Sequence, residues 1–280
     1  LSNLRMLFTN EIDSATLSTP GGTPPEASLP VTNLQKYGNS RVMRSTYLSD
    51  TQILGEWSTS RWVSACVLWR HNLDGAATMR LELFDDVGQT GNTVYDSGEI
   101  SALPIKALNE LDWGVEPLGA GPFSNAEVKY STMWFDQTIA RSFRITIKSV
   151  GNPDGYIDLG RVYMGTYLSP STNLSFGHGL ILVDETEHTI TVGGSLWSDA
   201  GAKYRVLSFN LDWLSNVDRP RFVEAIRRTG KQQDVFISIY PETGGQLEQD
   251  YAFAAKLVNN PTFSPNRPRN FITQYEYQEA

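Results

Sequence analysis

The sequence is short of the residues from which most active sites are built. It has one cysteine, Cys66, and three histidines, His71, His178 and His188. A single cysteine excludes an internal disulfide and any zinc site made of thiolates. The histidines stand at no metal-binding spacing, and no nucleophile elbow, dinucleotide fingerprint or phosphate loop is present. No apolar run approaches the ~20 residues of a membrane-spanning helix, and no charged-then-apolar leader opens the sequence. Positive charge is also scarce. There are 23 Lys and Arg against 31 Asp and Glu, a formal net charge of −8, and the basic residues are scattered. Nucleic-acid binders gather Lys and Arg on one face, so that class of partner is not expected.

What the chain does have is strand-forming sequence. Its 280 residues are 40% hydrophobic and 19% charged, the balance of a folded protein of one large or two ordinary domains. Residues 61–98 set the pattern. From Trp62 to Trp69 the run is almost unbroken and apolar, as in a strand buried on both faces, with Cys66 as a small buried hydrophobe. His71, Asn72, Asp74 and Gly75 then supply a turn. Residues 79–84 alternate, with Met79, Leu81 and Leu83 on one side and Arg80, Glu82 and Phe84 on the other. An acidic loop at Asp85 and Asp86 leads to another short strand. This is the order of an antiparallel β-sandwich.

Taken along the chain, residues 1–40 read as an irregular N-terminal arm. Pro20, Gly21, Gly22, Pro24 and Pro25 bar helix and central strand there, and such a segment could lie across a neighbour. Short strands are expected at 41–45 and 53–57, separated by polar turns. Residues 99–136 are rich in Pro and Gly and carry Trp113, Phe123, Tyr130 and Trp134. A loop that long tends to make contacts, and its rings suit the open end of a sandwich, a protein interface or a sugar platform. Residues 141–147 alternate with Phe143, Ile145 and Ile147 inward. The first domain is placed at 41–168, with Val63, Cys66, Leu68, Leu81, Leu83, Phe143, Ile145 and Ile157 in its core.

Residues 169–280 read as a smaller β domain carrying one helix over 218–229. Asp218 would cap that helix, Pro220 is tolerated in its first turn, and Glu224 can pair with Arg228. Gly230 would stop it. Phe222, Ala225 and Ile226 share a face, expected to pack on a strand at 235–239. The adjacent acids Asp85–Asp86 and Asp184–Glu185 read as solvated corners rather than opposed acid/base pairs. Asp85 and Asp86 with nearby carbonyls could also hold calcium. His71, with no evident catalytic partner, reads as a hydrogen-bonded structural residue.

Three stretches carry a resemblance: WVSACVLWRHNLDGAATMRLELFDD with the later VYDSG, SFRITIKSVGNPDGYIDLGRVYMG, and RVLSFNLDWLSNVDRPRFVEAIRRTGKQQDVFISIYP. Their order and wording resemble the tail-tip, baseplate or minor tail proteins of long-tailed bacteriophages, over residues 40–260. The resemblance implies a discoidin-like, galactose-binding-type jelly roll followed by a β domain like those of distal tail rings. It implies a non-enzymatic virion protein without a cofactor, made in the bacterial host cytoplasm. Its partners would be other tail proteins and copies of itself in a threefold or sixfold ring. The alternative is a carbohydrate-binding module for host-surface glycans, with Trp113, Phe123, Tyr130 and Trp134 as contacts. Fold alone does not choose between the two.

Overall fold

The computed structural model describes residues 2–20, 25–38, 40–103, 111–115 and 128–280. The chain divides into two compact units. One, the sandwich unit, comprises Thr9–Tyr167 and Thr243–Gln249; the other, the sheet unit, comprises Leu1–Phe8, Leu168–Glu242 and Asp250–Ala280.

Two very long antiparallel strands, Thr51–His71 and Tyr130–Lys148, organise the sandwich unit. The 53–57 and 62–69 segments are therefore one strand. The polar residues Ser58, Thr59 and Ser60 lie within it. Pairing of the two strands is irregular between Glu56 and Arg61 and again between Val63 and Ala65. Such irregularities bend a strand and let it pass from one layer to another.

On one side of the bend, residues 51–56 pair with 142–147 and are flanked by Thr16–Ser18 and Thr78–Phe84. On the other, residues 65–69 pair with 130–134, and Ile157–Gly165 adds on. Met43–Ser45 completes that layer, while Thr93–Asp96 and Ile100–Ser101 complete the first. The unit is a mainly β jelly-roll sandwich.

Its core is the one the alternation predicts. Val63, Cys66, Leu68, Leu81, Leu83, Phe143, Ile145 and Ile157 are all fully buried in a single apolar cluster. Each large side chain so buried contributes about 1.5–3 kcal/mol. Trp62 is the exception to the buried run and stands 54% exposed.

The expected free arm is not what the described part of residues 1–40 forms. Arg5–Leu7 is a strand of the sheet unit, paired with Val235–Ser238. Leu4, Met6, Leu7 and Phe8 are buried there, and Ile12, Ala15, Val31 and Leu34 are buried in the sandwich core. Burial of these apolar side chains holds the segment down; the Pro/Gly stretch at 21–24 lies outside the described residues.

The sheet unit has six strands side by side: Arg5–Leu7, Val235–Ser238, Ala252–Leu257, Asn270–Glu279, Lys203–Ser215 and Gly179–Asp184, with Ser264–Arg267 paired to Asn270–Glu279. Phe209, Tyr275 and Tyr277 stack over one another at its centre. The helix α1 runs from Asp218 to Thr229 and ends at Gly230, whose φ of 56° takes the backbone out of the helix. Phe222 is fully buried, with the rings of Phe8 at 6.3 Å and Tyr275 at 6.4 Å beside it. Ala225 and Ile226 are only half-buried.

Asp218 is not the cap. It is the first helical residue, and its carboxylate accepts hydrogen bonds from the Ser171 backbone and from the Ser171 and Ser215 hydroxyls. Burial alone would raise its pKa, but those bonds hold it below the usual carboxylate range. A six-residue second helix, α2, at Gly245–Asp250 was not foreseen.

The bend of the sandwich depends on one small residue. A Cβ on Gly55 would stand 2.2 Å from Cζ of Phe143, whose ring also packs on Trp57 at 5.1 Å. Gly55→Ala should therefore destabilise the chain by about 1–3 kcal/mol, the usual cost of overpacking. Urea unfolding of wild type and variant measures this; equal midpoints would show that the ring moves aside freely.

Candidate functional site

Of the four aromatics expected on a contact loop, Trp113, Tyr130 and Trp134 are among the described residues. Trp113 is on a turn and 72% exposed. Phe123 lies outside the described residues. Tyr130 and Trp134 are strand residues, because the Tyr130–Lys148 strand begins well before the alternating 141–147 segment. Tyr130 is buried against Trp69, and its hydroxyl donates to the Glu248 carbonyl at 3.0 Å. Trp134 is half-buried, edge-on to Tyr167.

Tyr130 also lines a cavity of about 130 Å³ with Ser101, Ser131, Thr132 and Glu248. Two of its hydroxyls are already donated inward, Ser101 to the Leu103 carbonyl and Ser131 to the Ala102 carbonyl.

Cys66 and His71 both lie inside the sandwich unit. Cys66 is buried, and burial pushes its thiol up to about 12. His71 is buried with both ring nitrogens engaged: Nε2 with the Ser131 hydroxyl at 2.8 Å, and Nδ1 accepting from the Leu73 backbone at 3.3 Å. Burial, with the nearby charge of Lys129, lowers its pKa to about 3. Asp85 accepts from the backbone and side chain of Asn92, at 2.7 and 3.0 Å, and Asp86 from the Val87 backbone. These bonds close the acidic loop upon itself. Among the described residues no group of three or more His, Cys, Asp or Glu is arranged to hold a metal.

A different cluster stands at one end of the sandwich. Register pairs Arg44 with Asp158 and Ser45 with Ile157, so Tyr47 and Tyr156 are carried to the same end. Three connections meet there and are bonded to one another. Ser149 donates from its backbone to the Leu48 carbonyl and from its hydroxyl to Asp74 at 2.7 Å. Asn152, buried, donates to the Asn72 carbonyl, and Asn72 donates to Asp154 at 2.8 Å.

On this braced platform the Arg44 guanidinium grips Asp158 with two parallel bonds of 2.8 and 2.7 Å. It lies 3.8 Å over the Tyr156 ring. The bonds to Asp158 raise the arginine's pKa further, so it is always cationic. Tyr47 is 45% exposed beside them. Planar charged groups, amides and aromatic faces are thus held in fixed geometry at the surface. Such an array can take up hydroxyl groups by charge-assisted hydrogen bonds and an apolar ring face by stacking. Sequence reading missed it because Arg44 and Asp158 are 114 residues apart; the turn residues Asn72 and Asp74 are its local trace.

No family model and no curated protein matches the chain. Solved structures do. It is similar to the family 32 carbohydrate-binding module of C. perfringens NanJ in complex with galactose, at 13% identity and a TM-score of 0.37 over 59% of this chain and 98% of that one. It is similar to a module from Clostridium perfringens in complex with GalNAc-β-1,3-galactose, at 10% identity and a TM-score of 0.38 over 56% and 100%. It is also similar to a fucolectin from striped bass serum, at 11% identity and a TM-score of 0.38 over 59% and 49%. The jelly-roll sandwich expected for the first half of the chain stands on the strand pairing described above.

His71 gives the sandwich unit a pH signature. The unfolded chain takes up a proton there near pH 6.5, its ordinary pKa, whereas the folded chain does so only near 3. Its contribution to stability is complete above about pH 6.5 and is lost as the pH falls from there towards 3. Urea unfolding at half-unit steps should show this fall, and His71→Gln should make it shallower by about one proton. An identical slope in both proteins would assign the effect to other groups.

Proposed function

We propose that the chain is a non-enzymatic recognition protein whose sandwich unit binds carbohydrate at the Arg44–Tyr156–Asp158 platform. The observation that carries this is the guanidinium clamped by Asp158 over the Tyr156 ring, with Asn72 and Asp154 braced beside it. Rigid polar forks beside aromatic faces suit a ligand with many hydroxyls, since little side-chain freedom is lost on binding. The structurally similar modules were solved with galactose and with GalNAc-β-1,3-galactose, so those sugars are the natural first probes.

A second reading is favoured by a separate feature of the sheet unit. There the chain projects a two-stranded hairpin that is exposed at every residue from 187 to 200. A surface of that kind belongs to an assembly. In this reading the protein is a structural part of a phage tail tip, located in the virion. It would form a threefold or sixfold ring, touch other tail proteins, and present its sandwich to host-surface glycans. The two readings are compatible, one resting on each unit.

The first is tested with Asp154→Ala and Tyr156→Ala, changes on the platform rather than in the core. Both should keep the wild-type circular dichroism spectrum and weaken retention on galactose- or GalNAc-displaying resin at least tenfold. If the wild-type chain retains no glycan above background on a broad array, the carbohydrate reading falls.

A further inference from the structure

The hairpin is the least self-sufficient part of the described chain. Gly179–Asp184 and Lys203–Ser215 form the edge of the large sheet, and the same two segments then continue outward as Glu187–Ile190 paired with Leu196–Asp199. The passage between them is tight: a Cβ on Gly201 would stand 2.2 Å from the backbone of Glu185. An isolated two-stranded ribbon is at best marginally stable in water.

This one also carries apolar side chains into solvent. Ile190 is 72% exposed, Val192 fully, Leu196 64% and Trp197 63%, and the edge strand adds Ile181 and Leu182. Ile190 and Leu196 stand directly opposite each other and share one face of the ribbon, while Trp197 lies on the other. Natural sheets rarely leave an apolar edge uncovered.

The charges on the hairpin narrow what covers it. Residues 184–199 hold Asp184, Glu185, Glu187 and Asp199 and no Lys or Arg. Glu187 and Asp199 stand directly opposite each other across the ribbon. Like charges in that position are destabilising, and a cationic partner would relieve them.

The same unit displays the complement. Residues 218–231 hold five basic side chains against Asp218, which is buried, and Glu224. Val217, Arg221 and Arg228 follow one another at i, i+4 and i+11 on the outward side of the helix, and all three are exposed. Val217 is 74% exposed and Trp213 42%, so the basic face has apolar ground for the hairpin tip.

We infer that the acidic, apolar-tipped hairpin of one copy docks on the basic α1 face of a second copy of this chain. Hairpin and helix are different surfaces, so the contact is head-to-tail, and repetition of a head-to-tail contact closes a ring when the rotation allows it. The inference deepens the assembly reading and rests on it; it is independent of glycan binding.

The test uses the full chain and reads mass in solution by analytical ultracentrifugation. Wild type should assemble. Glu187→Lys with Asp199→Lys should weaken assembly at least tenfold, and so should Arg227→Glu with Arg228→Glu. A chain carrying all four reversals restores the complementarity and should assemble again. All four side chains are exposed, so unchanged circular dichroism is expected and serves as the folding control. Assembly that both pairs of reversals leave intact, or that the fourfold variant does not recover, overturns the hairpin–helix contact while the ring reading stands. A wild-type chain that stays monomeric at high concentration overturns both.

Discussion

The sandwich unit depends on one constraint: two strands of 21 and 19 residues must stay paired while serving two layers. A flat ribbon of that length would bury one face only. Irregular pairing near Glu56–Arg61 and Val63–Ala65 turns the ribbon back upon itself, so that Ile53 and Ile145 on one side and Cys66 and Leu68 on the other point into one core. The turn is possible because Gly55 leaves room for the Phe143 ring and Trp57 closes over it. With the bend fixed, the remaining strands add on through backbone pairing and burial of their apolar side chains.

The same constraint positions the surface features. Because Ile157–Gly165 pairs with the far half of the first long strand, Asp158 comes opposite Arg44, and the 149–156 connection reaches the turn after His71. His71 anchors that turn from within, through Ser131 and the Leu73 backbone. A buried neutral imidazole, a closed hydrogen-bond network and a salt-bridged arginine thus form one rigid end of the sandwich. Rigidity there is what a binding surface for a small polar ligand requires, since the cost of ordering has already been met in folding.

Much of the fold could be read from local pattern, and the failures share a cause. The alternation at 79–84 and 141–147 gave the core residues correctly, because a half-buried strand writes its facing into sequence with a period of two. The place of Arg5–Leu7 in a sheet could not be read locally, because its partner strand is more than 200 residues away. Tyr130 and Trp134 were misread as loop residues because Pro and Gly crowd the sequence before them, and the start of their strand is fixed by Trp69 and Ala65 opposite. Asp218 has the composition of a cap, but Ser171 and Ser215, which fix its role, were brought to it by the fold. Each of these depends on a distant partner that spacing does not encode. The platform at Arg44 and Asp158 went unseen for the same reason.

The two surfaces differ in a way that bears on what each is for. At the platform the polar groups are largely paired with one another: Arg44 with Asp158, Asn72 with Asp154, Ser149 with Asp74. Such a site is stable when empty, and a ligand gains only by improving on bonds that exist, so modest and selective affinity is the natural outcome. At the hairpin the balance is reversed. Two carboxylates oppose each other and large apolar side chains face water, so the free state is held at a free-energy cost that docking would remove. A surface that is complete alone suits reversible recognition, whereas one that is incomplete alone suits permanent assembly. The platform lies on the sandwich unit and the exposed hairpin on the sheet unit, so the proposed recognition and the proposed assembly rest on different parts of the chain.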